Sequence, residues 1–105
     1  MPRTDRFESR LIARGKRTFS VGDAPTPFPS EDLDNDLYQE AQITVEGAAV
    51  RVWLDGSNPT GAEGHKIGDG GAFDFDAPED IARAKFIVAD GEASPTATIQ
   101  VTYYG

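Results

Sequence analysis

Apolar and polar residues alternate with a period of two along most of this chain, the mark of strands that bury one face and wet the other. The stretch from Ile43 to His65 carries the pattern best. Ile43 and Val45 alternate with Thr44 and Glu46, Gly47 breaks the run, and Val50, Val52 and Leu54 alternate with Arg51, Trp53 and Asp55. This predicts two half-buried strands joined by a tight connection. A turn-rich loop follows, with Asp55-Gly56 supplying positive φ and Asn58-Pro59 a fixed φ, and it closes on His65, the chain's only histidine.

The same period places further strands around that stretch. Clean alternation begins at Leu37. Phe73 and Phe75 alternate with Asp74 and Asp76 after a glycine-rich step, Gly68-Asp69-Gly70-Gly71, which reads as a hinge. Residues 77–82 read as one helical turn, with Pro78 near its start and acids in its first turn, where the helix dipole favours them. Lys85 to Val88 and Thr96 to Tyr103 are strands, and Arg17 to Val21 is a short one with Phe19 and Val21 on one face. About six strands at roughly ten-residue spacing, with almost no helix, predict an all-β chain. The expected architecture is an antiparallel β-sandwich of jelly-roll or immunoglobulin-like kind, or a small barrel.

The first thirty residues break this rhythm. Pro25, Pro27 and Pro29 fall within five residues and favour an extended path with few backbone donors. The chain therefore divides into an extended, basic, proline-rich arm over residues 1–30 and a sandwich domain over residues 31–105. Residues 31–36 read as a solvated acidic loop.

Charge sharpens that division. The net charge of −8 over 105 residues conceals two opposite parts. Up to residue 17, Arg3, Arg6, Arg10, Arg14, Lys16 and Arg17 outweigh Asp5 and Glu8 by four; beyond it, Arg51, Lys66, Arg83 and Lys85 face sixteen acids, a balance of −12. An acidic body repels nucleic acid, which is not an expected partner. The basic segment, with Phe7, Leu11 and Ile12 as apolar points, is either a solvated tail or an arm that orders on an acidic partner surface. Without cysteine the chain has no disulfide framework, and its stability must come from its core or from other chains. No apolar run is long enough to span a membrane, and charges occupy the N-terminal positions where a secretory leader would need an apolar segment.

No pattern of catalytic groups emerges. Asp32, Asp34 and Asp36 match the first ligand spacings of a calcium loop, but Leu37 stands where the loop needs glycine and Ile43 where it needs glutamate. The glycine-rich step lacks the lysine and the context of a phosphate loop. Ser57 and His65 form no recognisable triad, and His65 reads as a structural residue at the start of a strand. No enzymatic activity, metal or cofactor is expected. Arg51 and Trp53 lie on the strand face that should be wet, and residues of these types are enriched in interfaces. They form either the centre of a subunit contact or ordinary core beneath a covered face; Tyr103 and Tyr104 pose the same question.

The order Ile43 to His65, then a glycine-rich step, then Phe86-Ile87-Val88, then Ala97 to Tyr104, resembles small virion proteins of tailed bacteriophages. Asp55-Gly56-Ser57-Asn58-Pro59-Thr60 followed by Gly64-His65 is the most specific part, and the resemblance spans residues 41–104. It implies phage origin and a β-sandwich; with a cysteine-free sandwich, an arm of opposite charge and no catalytic constellation, the expected role is non-enzymatic, foremost a decoration or cement protein on the capsid exterior, made in the bacterial cytoplasm. A neck, tail or fibre-attachment component and a carbohydrate- or receptor-binding module are the alternatives. The expected partners are the major capsid protein or other virion subunits, and further copies of the chain. The expected contact residues are Arg3, Arg6, Phe7, Arg10, Leu11, Arg14, Arg17, Arg51 and Trp53.

Overall fold

The computed structural model describes residues 11–105. Its elements in chain order are β1 (Ala13–Val21), β2 (Thr26–Pro27), α1 (Ser30–Leu33), β3 (Glu40–Glu46), β4 (Val50–Trp53), β5 (His65–Ile67), β6 (Ala72–Phe75), α2 (Pro78–Arg83), β7 (Lys85–Val88) and β8 (Ala97–Tyr104). The architecture is all-β. A first antiparallel sheet runs β1-β8-β3-β6 and a second runs β2-β7-β4-β5. Each sheet keeps two edges, so the small barrel among the expectations is not formed.

Alternation explains both sheets. In β8 the inward residues Ala97, Ile99, Val101 and Tyr103 are buried, while Gln100 is exposed. Across the ladder Ile43 faces Val101 and Val45 faces Ile99, so β3 buries the matching set. Val50, Val52, Ile67 and Phe86 of the second sheet join these residues in one apolar cluster. Each fully buried aliphatic or aromatic side chain contributes about 1.5–3 kcal/mol, which stands in for the staples that a cysteine-free chain lacks.

The strands on either side of Gly47 do not form a hairpin. β3 lies in the first sheet and β4 in the second, and the link between them crosses from one to the other. Gly47 adopts φ 92°, its N–H donates to Asp69 Oδ1 at 3.0 Å, and Ala48 and Ala49 bury themselves in the crossing. Ala49 N–H donates to Glu92 Oε1 at 2.6 Å. Period-two alternation reports which residues face a core, and both sheets face the same one, so it is silent on which sheet a strand joins. The return crossing, from β5 to β6, uses Gly68 to Gly71. It is pinned by Gly70 N–H to Val45 O (2.7 Å) and Val45 N–H to Gly71 O (2.9 Å), so the step is a tied turn as well as a link between strands. α2 falls where the sequence predicts a helical turn over residues 77–82, displaced by one residue. Pro78 opens it, Glu79 and Asp80 occupy its first turn, and Ile81 is its buried residue.

The folded body begins earlier than the expected boundary at residue 30. β1 pairs with β8 from Ala13 opposite Tyr104 to Val21 opposite Ala97, with one irregularity between Ala13 and Gly15. Phe28, inside the expected proline-rich arm, is fully buried at the centre of the core. Its ring meets Phe19 at 5.8 Å, Phe75 at 5.1 Å, Phe86 at 5.4 Å and Tyr103 at 6.2 Å, mostly edge to face. The flanking prolines hold an extended path that delivers this aromatic ring between the sheets. What composition marks as a linker is therefore a core segment, with β2 pairing Thr26 to Phe86 on the way.

Candidate functional site

β1 and α1 meet around one buried polar group. Arg17 lies on the inward side of β1 with Phe19 and Val21, and an inward arginine needs an acid. Asp32 of α1 supplies it. Arg17 Nε donates to Asp32 Oδ2 at 2.9 Å and Arg17 Nη2 to Asp32 Oδ1 at 2.6 Å, a bidentate pair. Tyr103 OH donates to the same Oδ2 at 2.8 Å, and Glu31 stands 3.5 Å from the guanidinium. The Arg17 hydrogen bonds hold the Asp32 carboxyl below the usual carboxylate range. Burial, followed by the hydrogen bond to Asp32, pushes the Tyr103 phenol above its ordinary value. Tyr38 stacks on Tyr103 at 4.2 Å with the rings nearly parallel.

This arrangement corrects one expectation and answers an open question. The acidic segment is not simply a solvated loop, because Asp32 is buried and committed to Arg17 and Tyr103. Its carboxylate oxygens are thus taken by Arg17 and Tyr103, and among the described residues no cluster of three His, Asp or Glu side chains is placed to hold a metal. For Tyr103, which could have been a contact residue or core, the answer is core, since it is fully buried. The missed signal was parity: Arg17 shares the side of Phe19 and Val21, which called for a buried carboxylate across the core.

A cleft of about 360 Å³ opens beside this cluster, between α1 with the loop after it and α2. Leu33, Tyr38 and Ile81 form its apolar part, and Asn35, Asp36 and Glu79 its polar rim. Two large hydrophobic residues are exposed among the described ones, Leu37 at 60%, in the loop between the lining residues Asp36 and Tyr38, and Ile12 at 54%. Ile12 and Gly105 exchange backbone hydrogen bonds at 3.1 and 3.0 Å, and Gly105 packs against the carbonyl of Leu37. The chain thus leaves β1 next to the loop that walls the cleft.

Arg51 and Trp53 occupy a different region, the outer side of the second sheet. The turn-rich loop from Leu54 to Gly64 folds back along that side. Asp90 N–H donates to Gly61 O at 2.9 Å, Lys85 Nζ reaches Asn58 Oδ1 at 3.2 Å, and Arg51 Nη1 donates to Gly64 O at 3.1 Å. Pro59 is buried, and Ile87, which faces outward opposite Arg51, retains only 9% exposure. Arg51 and Trp53 are half-buried as a result. Trp53 meets His65 edge to face at 5.5 Å, and His65, exposed at the start of β5, lies 6.4 Å from Phe73.

The expected contact residues are not one patch. Arg3, Arg6, Phe7 and Arg10 lie outside the described residues. Leu11 is half-buried, and Arg14 is exposed with its Nε on Gly105 O at 3.0 Å. Arg17 turns inward to Asp32, whereas Arg51 and Trp53 belong to the other sheet. No protein-family model matches the chain, and no curated protein matches it in sequence.

Proposed function

We propose that this chain is a non-enzymatic structural protein of a tailed-phage particle, a decoration protein that binds the capsid exterior and bridges its subunits. In this reading the two sheets form an open β-sandwich that rides on the shell. The observation that carries it is the edge strand β1. It is nine residues long and paired with β8 on one side, with no strand on its other side among the described residues. Arg14 and Lys16 are exposed on it. A long edge offers backbone donors and acceptors to another chain, and its positive charges oppose pairing with a copy of itself while favouring an acidic partner. The virion resemblance of residues 41–104 supplies the setting, and the major capsid protein is the proposed partner. Contacts that exist only in the assembled shell would stabilise it by mass action.

The test is co-sedimentation with purified capsids. Arg14→Glu together with Lys16→Glu is expected to abolish binding while circular dichroism stays unchanged. A deletion used alongside should stop before Ala13, because removing β1 would open the first sheet. Binding that survives the charge reversal would overturn the edge mechanism. Counting copies in virions by quantitative mass spectrometry separates the locations: a simple fraction of the major capsid protein supports the shell, and only a few copies per particle would move the protein to the neck or tail.

A further inference from the structure

We propose that the cleft between α1 and α2 is a self-association site, and that it accepts the N-terminal segment, residues 1–10, of a second copy of this chain. The inference is independent of where on a particle the protein is attached.

The cleft pairs an apolar floor with an acidic rim. Leu33, Tyr38 and Ile81 supply the floor. Of the carboxylates, Asp32 is already neutralised by Arg17, which leaves Asp36 and Glu79, both exposed, to set the sign of the opening. An occupant must therefore carry positive charge next to an aromatic or aliphatic side chain. Residues 1–10 have that chemistry: Arg3, Arg6 and Arg10 flank Phe7, against Asp5 and Glu8. The chain's own acidic body thus includes an apolar cleft suited to its own basic end.

Position selects a second copy. Ile12 is tied to Gly105, and Gly105 lies against the Leu37 carbonyl, so the start of the described chain is held close to the loop that walls the cleft. Ile12 and Leu37 are both more than half exposed at this place. A two-fold axis that sets the Ile12–Leu37 pairs of two copies against each other would cover all four side chains. The same axis brings each copy's Ile12 and the loop that walls its cleft to one shared seam, since an isologous contact uses one patch twice. A segment of ten residues has a maximum reach of about 35 Å.

Sedimentation velocity of the full chain over a concentration series tests this, with melting curves to confirm that each variant is folded. The wild type is expected to dimerise. Asp36→Lys with Glu79→Lys is expected to raise the dimer dissociation constant by about tenfold or more, and so is Arg3→Glu with Arg6→Glu and Arg10→Glu. Combining the two sets restores opposite charges and is expected to recover dimerisation. A wild type that stays monomeric at the highest attainable concentration overturns the proposal, whether the cleft then holds the chain's own segment or a different partner. So does a dimer that either set leaves unchanged, or a combined variant that fails to recover.

Discussion

The outer sides of the two sheets have similar alternating sequences and opposite fates. On the first sheet, Thr18, Thr44, Glu46 and Gln100 remain exposed, and a short row of hydrogen bonds links three of them: Thr18 Oγ1 to Gln100 Oε1 at 2.6 Å and Gln100 Nε2 to Glu46 Oε1 at 3.3 Å. On the second, the loop from Leu54 to Gly64 lies over the sheet, buries Ile87 and half-buries Arg51 and Trp53. The lesson concerns arginine and tryptophan at outward strand positions. They can mark a partner surface, or they can be the underside of the chain's own loop, and alternation alone does not distinguish the two.

The largest expected effect strikes what both sheets share. Phe28→Ala removes a ring packed against Phe75 of the first sheet and Phe86 of the second, and should cost about 4 kcal/mol in denaturant unfolding. Both sheets should be lost in one transition; separate transitions would show that they are stabilised independently. Next comes Tyr103→Phe, which deprives the buried Asp32 of a donor and should cost about 2 kcal/mol at neutral pH. Because the folded phenol titrates above its ordinary value, its contribution is complete below about pH 10 and drains away as pH rises beyond it. On that alkaline limb the wild type should lose stability more steeply than the variant. Equal slopes in both would sink this account. The smallest effects separate the outer sides directly. Gly64→Ala places a Cβ 3.1 Å from Val52 N at φ 126° and should cost about 1–2 kcal/mol, with faster hydrogen exchange over β4 and β7. Gln100→Ala on the bare side should change stability by less than about 0.5 kcal/mol. If the glycine variant is equally silent, the loop over the second sheet is not held as described.

The all-β class, the helical turn at Pro78 and the inward set of β8 were legible because each is a local pattern whose period matches its geometry. β2 and β5 were not, being two and three residues long and too short to show a period. Composition misplaced Phe28, because prolines signal a linker unless an aromatic residue between them is needed by a core elsewhere. The assignment of β3 and β4 to different sheets is a matter of pairing between distant residues, which no local window contains. For the same reason the cleft was invisible: its walls come from α1, the loop after it and α2, separated in sequence by the four strands β3 to β6. Leu37 was readable as apolar, but not as exposed.

The pairing of β1 with β8 also sets a timetable for synthesis. In the first sheet β8 lies between β1 and β3, so that sheet has no centre until residues 97–104 leave the ribosome. At roughly 5–20 residues per second, β1 waits several seconds for its neighbour. Through that interval the strand that pairs with its backbone is missing, so completion of the first sheet waits on long-range pairing.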